Sequence, residues 1–399
     1  RILNMYNRIA VFARYNAVAN SVSVLIYLPK HRYSENLRQE FSIHLLKEFG
    51  GTITSTNASV GDASFARLVY IINCENFCNT QINVEDLEEK LWVASQSWQE
   101  QLHYFCQKIN IVLDVKFSDL YISFNKPEVA VKDVEILENW LSSEEEIYLG
   151  VIRKENKVFV RIFQRNQPLT LGQIIPIFSN FQLHIQSEIT FSAKFNDHTI
   201  WMHSYEIANL NESIAEQTIN KLIDGLKAAW KKIIEIDPYN ALTIACDLDF
   251  NEIIIFRALG RFLKQLGFNY SQKSLAECLS AYPGITQNLI GYFKQKFSLS
   301  EQSKAKDTLD NLYENVVNSL NVIERLDHDR IMRRFFNIIV ATVRTNAYQS
   351  GEFKPYPCVS FKVNSTQIID IPQPSPLFEI FVYSPMVEGC HLRGGTIAR

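Results

Sequence analysis

Apolar positions along this 399-residue chain recur at mixed strand and helix spacing up to about residue 210, at helix spacing to about 350, and at strand spacing after that. Residues 22–28 form an apolar, β-branched run stopped by Pro29. Ser34 then stands at the cap position of a helix whose apolar residues Leu37, Phe41, Leu45, Leu46 and Phe49 share one face, and Gly50-Gly51 ends it. Strands follow at 52–60 and 65–73, joined by the turn residues Gly61-Asp62-Ala63-Ser64, so the predicted order is strand, helix, strand, strand. Asn83 opens one long predicted helix with Leu87, Leu91, Trp98, Leu102 and Phe105 on a single face, a stripe that reads as core packing.

The second stretch starts with a helix from Pro127 carrying Val131, Val134, Leu137, Trp140 and Leu141, and Ser142-Ser143-Glu144-Glu145-Glu146 makes a solvated linker. Strands are predicted at 147–153 and 158–163 around the polar loop Lys154-Glu155-Asn156-Lys157. Thr170 caps a short helix to Phe178, and strands at 182–194 and 199–207 turn at Asn196-Asp197. This ββαββ run predicts a four-stranded antiparallel sheet with the helix on one face, buried with the help of Trp201, Phe159 and Phe178. Its open edges are templates for self-association. Helices are predicted at 214–236, 250–266, 272–281, 286–296, 303–322 and 327–347, with connections short enough for an antiparallel bundle. Strands at 359–363 and 377–383 follow, and the chain then runs into a glycine- and arginine-rich turn.

Composition narrows the class. Forty Lys and Arg against 43 Asp and Glu give a net charge of -3, which offers no electrostatic basis for binding nucleic acid or an anionic membrane. Seven scattered cysteines point to reduced thiols in a cytoplasmic protein instead of a disulfide framework. No apolar run is long enough for a membrane span, and the N-terminus has no signal-peptide pattern. The size implies two to four domains.

The most specific pattern is Ser375-Pro376-Leu377-Phe378-Glu379-Ile380-Phe381-Val382-Tyr383-Ser384-Pro385, followed by Glu388-Gly389, His391-Leu392-Arg393-Gly394-Gly395 and Ala398-Arg399. Glycine permits close backbone approach, and a guanidinium fork suits carboxylates. The run resembles the start of the catalytic domain in the large NAD-specific glutamate dehydrogenases, and the chain stops inside it. Shorter resemblances to that family occur in the same order. They are Tyr27-Leu28-Pro29-Lys30-His31-Arg32-Tyr33, Ala66-Arg67-Leu68, Ile200-Trp201-Met202-His203, Glu235-Ile236-Asp237-Pro238-Tyr239-Asn240, Arg257-Ala258, Leu326-Asp327-His328-Asp329-Arg330 and Arg344-Thr345-Asn346-Ala347-Tyr348. Lys30, His31, Pro238, Cys390 and Thr396 depart from the family's pattern.

The resemblance implies an α+β multidomain fold. It comprises two ACT-like α/β sandwich modules with antiparallel sheets (1–110 and 111–210), a helical region (211–350) and the first strands of an α/β catalytic domain (351–399). It implies a full-length enzyme that converts L-glutamate to 2-oxoglutarate and ammonia with NAD, and a chain that begins and ends inside that enzyme as its inactive regulatory and scaffold portion. The rival expectation is a stand-alone amino-acid-sensing or oligomerisation module. Expected partners are the catalytic half of the same polypeptide, further copies of it, and an amino-acid effector. Arg399, Arg393, Gly394 and Gly395 are the implied substrate-binding residues, with Arg399 where smaller glutamate dehydrogenases place a carboxylate-holding lysine.

No catalytic, NAD-binding or metal-binding residue is expected, because no glycine-rich phosphate loop or nucleophile elbow is found. Cys74 and Cys78 have no second Cys/His pair at zinc spacing, and His198 and His203, five apart on a strand, point to opposite faces. Asp327, Asp329, Arg330, Arg333 and Arg334 open a helix in which Asp329 and Arg333 form an i,i+4 pair, an ordinary stabilising arrangement.

Overall fold

Alternation along residues 22–28 buries Val22, Val24, Ile26 and Leu28 on one side of a strand, and that strand lies in the first of two units. The computed structural model describes residues 8–60, 64–74, 83–111, 114–297, 305–348, 358–371 and 373–394. The units are 1–145 with 191–199, and 146–190 with 200–399.

In the first unit, β1 (Ala10–Asn16), β2 (Ser21–Pro29), α1 (Glu35–Phe49), β3 (Thr52–Ser59) and β4 (Phe65–Asn73) build an antiparallel sheet of order β1-β2-β4-β3. The predicted order omits β1, an edge strand in which only Val11 is fully buried and whose polar Arg14 and Asn16 dilute the alternation. Its register, Val11 opposite Ile26 and Ala13 opposite Val24, puts Val11 on the core side. The Ser34 hydroxyl accepts from the Leu37 N–H at 3.1 Å, and α1 lays Leu37, Phe41, Leu45 and Phe49 into the core, each worth about 1.5–3 kcal/mol. Of the predicted turn, Gly61, Asp62 and Ala63 lie outside the described residues.

The single long helix predicted from Asn83 is two helices, α2 (Val84–Ala94) and α3 (Trp98–Lys108). Ser97 restarts the helix with a capping box: the Glu100 carboxylate accepts from the Ser97 N–H at 2.8 Å, and the Ser97 hydroxyl from the Glu100 N–H at 3.4 Å. Glu100 also takes both guanidinium nitrogens of Arg32 at 3.0 Å, and these bonds, with the Ser97 N–H, bring its carboxyl down to about 2. The short strand β5 (Lys116–Phe117) pairs with Ala193 and Lys194, and α4 (Asp119–Phe124) and α5 (Pro127–Leu141) complete the unit. Buried Asp133 on α5 accepts from the Tyr121 hydroxyl at 2.6 Å.

Next come β6 (Ile147–Lys154), β7 (Lys157–Arg165), α6 (Leu171–Asn180), β8 (Ile185–Phe195) and β9 (His198–Ile207), and the strand order is β5-β8-β9-β7-β6, five strands where four are predicted, with β5 and residues 191–199 counted in the first unit. Glu155 and Asn156 take φ of 54° and 62°, which makes the loop between β6 and β7 a tight two-residue turn. The helix α6 lies on the face of Val160 and Tyr205, where Phe178 meets Tyr205 edge-on at 5.3 Å. Phe159 pairs with Glu206 and so points to the opposite face, which removes it from the group predicted to bury the helix.

Eight further elements follow: α7 (Glu216–Trp230), a 3-10 turn (Pro238–Ala241), α8 (Leu242–Ala245), α9 (Phe250–Gln265), α10 (Gln272–Ala281), α11 (Pro283–Phe297), α12 (Ala305–Leu320) and α13 (Leu326–Ala341). Two ends fall about six residues short of prediction. The first helix stops at Trp230 because Lys232 takes φ 55° and the Ile233 N–H bonds back to the Ala228 carbonyl at 2.8 Å. The last stops at Ala341, where β-branched Thr342 and Val343 open a strand, β10 (Thr342–Thr345). It leads an antiparallel sheet of order β10-β11-β12-β13 with β11 (Val359–Asn364), β12 (Phe378–Tyr383) and β13 (Glu388–Arg393). Residues 388–393, read from sequence as part of a turn, are therefore an edge strand, because the short Ser384–Val387 turn folds them back onto β12. Phe361, Val363, Phe381 and Tyr383 form the buried side of this sheet.

Lys296 near the end of α11 donates to the Ile339 and Val340 carbonyls at 3.2 and 2.6 Å, where it caps the last turn of α13. Burial brings its ammonium from 10.5 down to about 8. The unfolded chain thus binds the proton more tightly than the folded one between those values, so this residue's destabilising effect is full below about pH 8 and fades as pH rises. The urea-midpoint difference between wild type and Lys296→Met is expected to climb from pH 8 to pH 10; a difference that is flat with pH would refute the assignment.

Candidate functional site

Three of the runs that resemble the family meet inside the second unit. Asp237 caps the 3-10 turn by accepting from the Tyr239 N–H at 3.1 Å. The same carboxylate receives Arg257 Nε at 2.7 Å and Nη2 at 2.8 Å, a bidentate pair. Nη2 also reaches Asn240 Oδ1 at 2.5 Å, and Arg257 is 0% exposed. Burial opposes the guanidinium charge, yet the hydrogen bonds and charge of Asp237 outweigh it and leave the pKa raised. Tyr239, fully buried beside Arg257, donates to Gln272 Oε1 at 3.0 Å, and burial pushes its hydroxyl far up.

One turn further along α9, Arg261 Nη2 donates to the Glu235 carboxylate at 3.0 Å, and its Nε lies 3.9 Å from Glu388, the first residue of β13. Phe262 packs on Phe381 of β12 at 5.3 Å between ring centres. Thus the Glu235–Asn240 run, the Arg257 helix and the β12–β13 hairpin share one buried cluster. The sequence reading named these motifs but did not bring them together. Arg257 and Asp237 are 20 positions apart, and nothing in their spacing shows that they pair.

Among the implied substrate residues, Arg393 is the last residue of β13, half-buried, opposite Phe378 and held by the Leu377 N–H to Arg393 carbonyl bond of 2.8 Å. Gly394 follows it, exposed, while Gly395 and Arg399 lie outside the described residues. The register puts Arg393, His391 and Lys362 on the outward face of the sheet, together with Phe378, Ile380 and Val382. No carboxylate stands among the outward residues of β11, β12 and β13, so this face is positive. Lys362, whose ammonium lies 4.2 Å over the Phe378 ring, was not singled out from sequence. Its strand alternation was the available signal.

The other weighed residues have structural surroundings. Arg333 bonds Asp329 at 2.7 Å, and Arg334 holds Asp370 at 3.1 Å and the Ile369 carbonyl, which ties α13 to the connector before β12. His203 is buried, with Nδ1 on Glu188 at 2.9 Å and Nε2 accepting from the Leu169 N–H at 3.0 Å, while His198 is exposed. Burial raises the Cys74 thiol, and Cys78 lies outside the described residues. Among the described residues no three His, Cys, Asp or Glu side chains gather as a metal site, and no helix is long and apolar enough to cross a membrane.

Models of one enzyme family match the chain in four stretches. They are the glutamate dehydrogenase ACT2 domain at residues 10–99, the ACT3 domain at 144–219, helical motif 3 at 234–299, and the bacterial NAD-glutamate dehydrogenase catalytic domain at 315–399. Together these four matches to models of one family, that of the bacterial NAD-glutamate dehydrogenases, cover most of the chain. Proteins named NAD-specific glutamate dehydrogenase from Halomonas elongata and Pseudomonas aeruginosa are 27% and 28% identical over 98% of this chain, and one from Mycobacterium tuberculosis is 25% identical over the same share. The chain spans about a quarter of the length of these relatives, 25% of the first two and 26% of the third.

The expected architecture of ACT modules, helical motif and opening strands of a catalytic domain holds. The sheet β1–β4 is the ACT2 module, and β6–β9 with α6 the ACT3 module. The Arg257 and Arg261 cluster lies between helical motif 3 and the catalytic-domain match. The pairings β1–β2, β2–β4, β3–β4, β5–β8, β6–β7, β7–β9, β10–β11, β11–β12 and β12–β13 are antiparallel.

Proposed function

We propose that the longer protein oxidises L-glutamate to 2-oxoglutarate and ammonia with NAD, and that this chain is its regulatory and scaffold portion together with the opening sheet of its catalytic domain. The observation that carries the reading is the outward face of β11–β13, where Arg393, Lys362 and His391 stand together without a carboxylate, inside the stretch matched by the catalytic-domain model. Glutamate bears two carboxylates, and a guanidinium clamps one of them with two parallel hydrogen bonds. Arg399 supplies a second clamp in this reading. The NAD site lies in the part of the enzyme beyond this chain. The buried thiols of Cys74, Cys106, Cys246 and Cys278 suit a cytoplasmic enzyme, and the edge strands of the ACT sheets suit assembly of several copies, with an amino acid as effector.

Purified full-length protein is expected to form NADH from glutamate and NAD, and the 399-residue chain alone to form none. In the full-length enzyme, Arg393→Ala is expected to raise the KM for glutamate about tenfold to hundredfold, the loss of one charge-assisted contact, with the KM for NAD unchanged. A full-length protein silent on glutamate, or an Arg393→Ala enzyme with normal glutamate kinetics, would remove the reading.

A further inference from the structure

We infer that Arg261, on helical motif 3, is a positioning residue for the substrate-binding end of β13, acting through Glu388; the inference rests on the glutamate reading above. An edge strand has a partner on one side only. β13 has no fully buried side chain, and only Cys390 and Arg393 are half-buried. Apart from its ladder with β12, the ties on its side chains among the described residues are Cys390 Sγ to Glu379 at 3.5 Å and Glu388 to Arg261 at 3.9 Å. A binding arginine at the end of such a strand is located only as well as the strand itself.

Arg261 is suited to fix it because its own position is set from the other side. Its Nη2 donates to Glu235 at 3.0 Å, and the Glu235 carbonyl is within 3.4 Å of fully buried Arg257. Its Nε is buried and has no hydrogen-bond partner among the described residues, so the guanidinium keeps a donor in reserve beside Glu388. A shift of about 1 Å brings that Nε into hydrogen-bond range of the carboxylate. The positive end of the latch belongs to the helical motif and the negative end to the catalytic sheet. Movement of α9 is thereby passed to the strand that ends in Arg393.

The experiment uses the full-length enzyme with Arg261→Met, Arg261→Lys, Glu388→Gln and the Met/Gln double variant. The expected result is a glutamate KM raised about threefold to fivefold in Arg261→Met and Glu388→Gln, no further rise in the double variant, and partial recovery in Arg261→Lys. The kcat and the KM for NAD stay within twofold of wild type, and amide hydrogen exchange quickens at residues 388–393 while the ACT2 sheet keeps its protection. An active wild type whose variants show unchanged glutamate KM, or equal losses for glutamate and NAD together with a lowered melting temperature, overturns this inference alone. A wild type silent toward glutamate and NAD overturns the glutamate reading and the inference with it.

Discussion

Replacing Arg257 by alanine is expected to cost about 3–5 kcal/mol and to leave the second unit largely unfolded near body temperature. The side chain is 0% exposed and answers the Asp237 carboxylate through two bonds of 2.7 and 2.8 Å, with Asn240 as a further acceptor. Alanine removes the cation and leaves the partly buried Asp237 carboxylate without its partner, in addition to opening a space the size of the lost side chain. The double variant Arg257→Met with Asp237→Asn separates the two effects. Removing both charges is expected to restore part of the loss, because the single variant's cost comes mainly from the stranded carboxylate. Urea unfolding followed by circular dichroism measures it. A single-variant loss below about 1 kcal/mol would mean that water reaches the site and that the pair is ordinary surface chemistry.

The second large effect is expected at Gly51. Gly50 and Gly51 both end α1 with positive φ, 65° and 77°, so both are strained by any side chain. They differ in what a Cβ meets. At Gly50 nothing lies within 4 Å, whereas at Gly51 the carbonyl oxygen of Asn73, the last residue of β4, would be 1.9 Å away. That oxygen belongs to backbone in a paired strand and has no rotamer to escape into. Gly50→Ala is expected to cost about 1 kcal/mol, the price of the left-handed conformation, and Gly51→Ala about 3 kcal/mol or more once displacement of β4 is added. Hydrogen exchange at the β4 amides is the direct readout. Equal effects of the two substitutions would show that the helix end, and not the strand beside it, sets the requirement for glycine.

Much of the fold could be read from the residues, because the relevant forces there are local. Ser34 and Thr170 cap their helices, the Asn196-Asp197 turn forms, and alternation along β2 and β4 gives the buried face. The failures have physical causes as well. β1 is half-polar at a sheet edge, so its alternation carries little signal. The break at Ser95–Ser97 was written in the sequence as Ser97 and Glu100, a capping-box pair masked by the apolar stripe that continues through it. The end of α7 was not written at all, since lysine at position 232 gives no hint of φ 55°. The candidate site divides in the same way. Arg393 and Gly394 are singled out by their motif, but Lys362 joins them only through strand register, and the cluster of Arg257, Asp237 and Glu235 exists only once the chain has folded.

The catalytic-domain match starts at residue 315, ahead of α13, and β10 follows α13 directly and pairs with β11 across the stretch 349–357. Anyone dividing the longer enzyme into expressible pieces therefore has no free seam there. A cut between β10 and β11 strips the sheet of its first strand and leaves the main-chain groups of β11 open to strangers. A piece beginning ahead of Leu326 carries its own edge with it.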